Sequence, residues 1–266
     1  MKQPEWKTSI TRVKPNEICV RGYRIDDLME HTSFAEVVFL AFTGDLPDGQ
    51  TAKMLNAILV SSVDHGVTPP SAIAARTAAS TGAPLNAALA AGILSINDYH
   101  GGAINNCMGL LLEGIQRTSK EGEDYSSTAK NLIEEYRAAG KRIAGFGHRI
   151  HTSDPRANKL IEMAKSFDIA SQGVKILLAI RDAFEASGKV LPINVDGAIA
   201  AILVDMGMPR EFANAFFIIA RAPGLIAHIY EEQKTQKPMR KIDVANHLYN
   251  GYEDRDVMED ENDKIN

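Results

Sequence analysis

The chain has 266 residues, 45% of them hydrophobic and 24% charged, with a formal net charge of −5. This composition fits a globular protein with one large or two modest cores, and the acidic balance argues against a nucleic-acid-binding surface, which needs a basic excess. No apolar run reaches the ~20 residues of a membrane span and Met1 to Lys7 carries no hydrophobic leader, so no membrane partner is expected and the expected location is the cytoplasm.

In chain order, Thr8 to Val20 opens with the alternation Ser9-Ile10-Thr11-Arg12-Val13, which suits a small strand. The rest is helical in period. Ser33-Phe34-Ala35-Glu36 is a capping-box pattern, followed by Val37, Val38, Leu40 and Ala41 in a helix that ends near Gly44. Leu55, Ile58 and Leu59 recur at helical spacing between Ala52 and Val63. Pro69-Pro70 opens another helix and Pro84 a further one, through Leu85, Ala88, Leu89 and Ile93. Ala72 to Gly92 has few long side chains, which suits helices crossing at close range in the centre of a bundle or at a subunit contact. A helix through Met108 and Leu112 ends near Gly114, and a polar linker follows over 118–127. Further helices are expected over 128–139, 155–167, 173–186, 196–206, 209–220 and 223–233, and the acidic tail from Glu253 to Lys264 reads as a solvated extension. The fold class is all-α, with ten or more helices.

The densest chemistry lies in Gly145-Phe146-Gly147-His148-Arg149-Ile150-His151-Thr152-Ser153-Asp154-Pro155-Arg156-Ala157. Its glycines permit close approach of backbone to a ligand, His148 can move protons near neutral pH, and Arg149 and Arg156 can bind carboxylate or phosphate. A solvated loop between helices would have the same composition. With Lys141 and Arg142, these residues form the local basic excess that an anionic ligand would need.

His65 and His100 also adjoin glycines, which leaves space for a substrate to reach the ring; His31, His228 and His247 read as structural. Asp196, in Asn194-Val195-Asp196-Gly197, either caps an apolar helix or serves as a general base beside it. Arg221, between two apolar segments, requires an anion. Cys19 and Cys107 lack any CxxC spacing, HExxH is absent and the histidines are scattered, so neither a disulfide framework nor a metal is expected. Neither a G-x-G-x-x-G after a strand nor a G-x-S-x-G elbow occurs.

Nearly the whole chain resembles the citrate synthase superfamily, which includes citryl-coenzyme A lyases and the C-terminal module of ATP-citrate lyase. The matching blocks run in order: Thr8 to Arg12, Arg21 to Leu28, Thr32 to Val37, Gly44-Asp45-Leu46-Pro47, Asp64-His65, His100 to Ala103, Gly145 to Arg149, Asp154-Pro155-Arg156, Asn194-Val195-Asp196, Arg221 to His228 and Leu248 to Glu253. The resemblance implies a citrate synthase-like helical fold with a large and a small domain, divided here as 1–116 and 219–266 against 117–218, and a homodimer or higher homo-oligomer. It implies that Asp196 exchanges a proton with the acetyl methyl carbon, that His100 stabilises the enol at the thioester oxygen, and that His148 binds the oxaloacetate carbonyl. His65, Arg149, Arg156 and Arg221 would hold carboxylates. Ala144, Gly145, Phe146 and Gly147 would meet the coenzyme A adenine, and Lys141 and Arg142 its phosphates.

The departures from the synthase pattern decide the expected reaction. The stretch between Pro47 and Asp64 is short, as in lyases, and Asp64-His65-Gly66 and Asn194-Val195-Asp196-Gly197 look like the lyase versions; His100, however, is the synthase residue. The synthase arginine that reaches the neighbouring subunit is replaced by Val244-Ala245-Asn246-His247, with Arg240 as its candidate substitute. The leading expectation is a citryl-coenzyme A lyase producing acetyl-coenzyme A and oxaloacetate, with the coenzyme A thioester as substrate and no covalent cofactor or metal. The alternatives are a citrate synthase and a non-catalytic acyl-coenzyme A-binding paralogue.

Overall fold

The alternation that begins at Thr11 continues through two turns. β1 (Thr11–Lys14) pairs antiparallel with β2 (Glu17–Val20), and β2 with β3 (Tyr23–Arg24), so the expected strand is the first of a three-stranded meander. Asn16, at the first turn, takes φ 62°, a left-handed conformation that asparagine tolerates. The computed structural model describes residues 6–147, 152–241 and 250–251. His148, Arg149, His151, His247 and the acidic tail lie outside the described residues.

The helices are α1 (Ile25–His31), α2 (Phe34–Thr43), α3 (Gly49–Ser61), α4 (Pro70–Ser80), α5 (Leu85–Leu94), α6 (Ala103–Gln116), α7 (Tyr125–Ala138), α8 (Pro155–Ser166), α9 (Gln172–Ala186), α10 (Val195–Asp205) and α11 (Ala213–Thr235). The capping box at the start of α2 forms in both directions. The Ser33 N–H donates to the Glu36 carboxylate at 2.7 Å and the Glu36 N–H to Ser33 Oγ at 3.4 Å, while Gly44 closes the helix at φ 97°.

Two stretches depart from their sequence pattern, each because a side chain bonds across elements. The expected linker over 118–127 begins instead as a π-helical turn, Arg117–Glu121, continuing α6. Arg117 bridges Glu113 at 2.5 Å and Glu135 at 2.7 Å, tying the end of α6 to α7. The two helices expected over 209–220 and 223–233 are one, α11, which passes through Pro223. A proline inside a helix costs about 3 kcal/mol. Packing here offsets it: Arg221 Nε donates to the Ser62 carbonyl at 2.9 Å, and a Cβ at Gly224 would lie 2.2 Å from the Val63 carbonyl oxygen. The segment Arg210–Thr235 is apolar and long enough to span a bilayer, yet its buried face, including Phe216, Leu225 and Ile229, packs on other helices.

The larger core unites side chains of α2, α3 and α6–α10, with Phe216 and Phe217 of α11. A smaller one joins Ala72, Ala75, Ala79 and Ala88 of α4 and α5 to Leu225 and Ile229 of α11. The short side chains expected to allow close crossing do so at Gly92, where a Cβ would touch Ala75, Leu225 and the Ser71 carbonyl at 3.0 Å. Of the expected domain boundaries, 116/117 falls where α6 becomes the π turn and 218/219 lies inside α11. Cys19 and Cys107 are buried free thiols.

The start of α9 is capped from a distance. Asp205, the last residue of α10, accepts the backbone N–H groups of Ser171, Gly173 and Val174 at 2.7, 2.6 and 3.0 Å. Asp205→Ala is expected to cost about 2 kcal/mol, a drop in Tm of about 5 °C read by thermal denaturation.

Candidate functional site

Five stretches distant in sequence meet around a cavity of about 350 Å³. The loop after α3 supplies His65, the turn before α6 supplies His100, and the first turn of α8 supplies Arg156. Asp196 comes from the first turn of α10 and Arg221 from α11, while Gly147 and Asn194 line the same wall. Of the expected substrate and catalytic residues, this brings together His65, His100, Arg156, Asp196 and Arg221.

Local sequence explains the placement of each. Asn194 caps α10, its Oδ1 accepting the Gly197 N–H at 3.1 Å, which puts Asp196 at the second helical position with its side chain toward the cavity. Asp196 Oδ1 is buried with no hydrogen-bond partner among the described residues. Burial raises its pKa to about 6; Arg156 and Arg221 oppose the rise and Asp154 adds to it. The capping reading is corrected: Asp196 sits in the helix's first turn, but Asn194 is its N-cap.

His100 is held by a compressed turn: its N–H and that of Gly102 both donate to the Asn97 carbonyl, at 2.8 and 3.0 Å. Gly101 takes φ 87°, and a Cβ there would overlap Ile96 and Phe217. Nε2 of His100 lies 2.7 Å from Oγ of the buried Ser71, and its ring meets Phe217 edge-on at 5.6 Å. This contact couples the ring's tautomer to the hydroxyl: with Ser71 donating to Nε2, the ring carries its proton on Nδ1.

The two arginines are held differently. Arg221 is 3% exposed, lies 4.9 Å over the Phe217 ring, and leaves Nη1 buried without a partner among the described residues. Burial pushes its guanidinium below the ordinary arginine value. A buried cation with an unsatisfied donor is costly unless an anion completes it. Arg156 is gripped by Asp154, whose oxygens accept from its Nε at 3.0 Å and its Nη2 at 2.8 Å.

Asp154, which the sequence analysis names only within longer stretches and gives no role, is a junction of the site. It is 1% exposed and also accepts the backbone N–H groups of Arg156, at 3.0 Å, and Val195, at 3.1 Å. One carboxylate thus fixes both a guanidinium and the residue before Asp196. Burial pushes its pKa up, but these donors outweigh it and hold it below the usual range. Asp-Pro at a helix start reads as an ordinary cap, so nothing local in the sequence signals the reach to Val195. His228, expected to be structural, pairs with Asp64 at 2.9 Å, directly beside His65.

A second cavity, also about 350 Å³, adjoins the first across Phe146-Gly147. Lys141, Arg142 and Phe146 line it, joined by Arg137 and Lys189, which the sequence pattern did not single out. Ile133, Ile143, Phe184 and Leu191 give it an apolar floor. Ala144 and Gly145 lie in the segment leading to this wall, with Gly145 buried. Arg240 is elsewhere: it bonds Glu232, which also holds Arg76 at 2.8 Å. Among the described residues no group of His, Cys, Asp or Glu is arranged to hold a metal.

Residues 47–242 match the family model described as citrate synthase, C-terminal domain. Among solved structures, the citryl-CoA lyase of Hydrogenobacter thermophilus superposes with a TM-score of 0.86 at 39% identity, covering 97% of this chain and 99% of that one. The ATP citrate lyase of Methanothrix soehngenii, solved with citrate and coenzyme A, shares the fold at TM-score 0.84 and 21% identity, over 97% of this chain and 44% of its own. Citrate synthase of Haloferax volcanii is 29% identical over 202 residues, 74% of this chain; the matched region is 51% of that relative, so the chain spans about half its length. On the match over 47–242 and the end-to-end likeness at 39% identity, the chain belongs to the citrate synthase family.

Proposed function

We propose that this protein is a citryl-coenzyme A lyase, cleaving citryl-coenzyme A to acetyl-coenzyme A and oxaloacetate. The observation that carries the reading is Asp196, a carboxyl whose buried Oδ1 has no partner among the described residues, facing a cavity shared with His65, His100, Arg156 and Arg221. Its support among relatives is the similarity to the Hydrogenobacter lyase along the whole chain. Binding of coenzyme A and citrate, seen in the Methanothrix enzyme, is proposed here for the basic cavity and the arginine-lined cavity respectively.

Cleavage requires a proton to leave the citryl hydroxyl, the carbon–carbon bond to break toward the thioester, and a proton to reach the new methyl carbon. His148, which by resemblance hydrogen-bonds this hydroxyl oxygen and the carbonyl it becomes, is assigned here as the group that takes the hydroxyl proton. His100, fixed by Ser71, donates a hydrogen bond to the thioester oxygen as enolate charge develops there. Protonated Asp196 then delivers its proton to carbon. Arg156 and Arg221 hold carboxylates of the oxaloacetate half, which gives an anion to Arg221 Nη1, buried without a partner among the described residues. The same resemblance supports a homodimer, for which the exposed Ile73 of α4 and Leu85 and Leu94 of α5 supply apolar surface.

Proton delivery from an exchangeable carboxyl has a direct readout. Citryl-coenzyme A cleaved in D₂O is expected to yield acetyl-coenzyme A carrying one deuterium in its methyl group by mass spectrometry. An unlabelled methyl would contradict the assignment of Asp196 as the acid.

A further inference from the structure

The segment Gly145-Phe146-Gly147 touches three things at once. Phe146 lines the basic cavity, Gly147 lines the reaction cavity, and Gly145 lies on the first turn of α10 beside Asp196. The contact with α10 has no side chain in it. A Cβ on Gly197 would stand 2.3 Å from the Gly145 carbonyl oxygen, and one on Gly145 would stand 2.8 Å from the Gly197 Cα and 2.7 Å from Cys107 Sγ. Gly145 also takes φ 91°, which only glycine adopts without strain.

The backbone is then latched on both sides. The Asn194 N–H donates to the Gly145 carbonyl at 3.1 Å and the Gly147 N–H to the Pro192 carbonyl at 2.7 Å. The Asn194 side chain works in both directions, with Nδ2 donating to the Gly147 carbonyl at 2.9 Å and Oδ1 accepting the Gly197 N–H at 3.1 Å. An aspartate would cap α10 equally well but has no donor for Gly147. The amide therefore serves the link to the segment as well as the helix.

We propose that Gly145, Gly197 and Asn194 form a joint through which occupancy of the basic cavity sets the position of Asp196 in the reaction cavity. The proposal rests on the acyl-coenzyme A reading above. A nucleotide pressing on Phe146 moves or stiffens a three-residue segment that has no slack against α10, and Asp196 is the residue preceding Gly197. These three are positioning residues, since the proton is carried by Asp196.

The test separates the nucleotide from the reacting group. The wild-type protein is given citryl-pantetheine, which lacks the nucleotide, with or without adenosine 3′,5′-bisphosphate as the probe of the basic cavity. Turnover is expected to rise about tenfold with the nucleotide present. In Gly197→Ala and in Asn194→Asp, the ratio should fall to within about twofold of one while calorimetry still detects adenosine 3′,5′-bisphosphate binding. Asn194→Asp adds no atom to the tight contact and keeps the helix cap, so it reports on the joint even where Gly197→Ala disturbs folding. A wild-type protein that cleaves citryl-coenzyme A but shows no activation by the nucleotide, or variants that keep the wild-type ratio, would overturn the joint alone. A wild-type protein that cleaves neither thioester would overturn the acyl-coenzyme A reading and the joint with it.

Discussion

Asp196→Asn is expected to lower carbon–carbon cleavage by about 10³-fold while leaving ligand binding largely intact, because it removes the proton carrier and keeps the shape. The pH behaviour identifies the role further. With its pKa raised to about 6, Asp196 is protonated in about a tenth of molecules at pH 7, against about a thousandth for an ordinary aspartate. Cleavage uses the protonated form, so its kcat/KM should fall as pH rises through about 6. Condensation uses the ionised form, so the same group should make that direction rise over the same range. Opposite limbs for the two directions would assign the group; a shared limb would point to another residue.

Stability responds with a determined sign. The folded protein holds the Asp196 proton up to pH of about 6, whereas the unfolded chain releases it near the ordinary value of 3.8. The folded state therefore binds more protons between those values, and stability falls as pH rises through this window. The full cost, on the order of 2–3 kcal/mol, is present above about pH 6 and absent well below 3.8. Asp196→Asn should consequently melt higher than the wild type at pH 7.5, with the difference shrinking at pH 4. Loss of activity with a gain in Tm is the expected signature of a site that gives up stability for chemistry.

Arg221→Met is expected to weaken oxaloacetate binding about 100-fold, the effect of removing one partner of a buried charge pair. Arg221→Met loses the Nε bond to the Ser62 carbonyl but also removes a buried Nη1 that has no partner among the described residues, so unliganded stability is expected to change little. Oxaloacetate should raise the Tm of the wild type and leave the variant unmoved. A large fall in unliganded stability with the ligand-induced rise retained would make Arg221 a structural residue fixing the Ser62 carbonyl.

Most helices, and the residues that gather at the first cavity, were legible because local signals sufficed. The Ser33–Glu36 box, the prolines at helix starts and the glycines around His100 each act within a few residues. What escaped depends on long-range packing. Pro223 reads as a helix start, and only the contact of α11 with 62–63 shows why the helix runs through it. Asp154 reads as a cap for α8, and its bond to Val195 crosses 41 residues. Arg137 and Lys189 are unremarkable helix-end cations until folding sets them around Phe146. Asn194 was visible within a family block, but its two-way amide link is a property of the folded segment pair.

Product partition tests the central claim most directly. Purified protein is incubated with citryl-coenzyme A while oxaloacetate and free thiol are followed separately. A lyase releases oxaloacetate together with acetyl-coenzyme A and no free thiol. Free thiol appearing with citrate, or neither product forming, would contradict it.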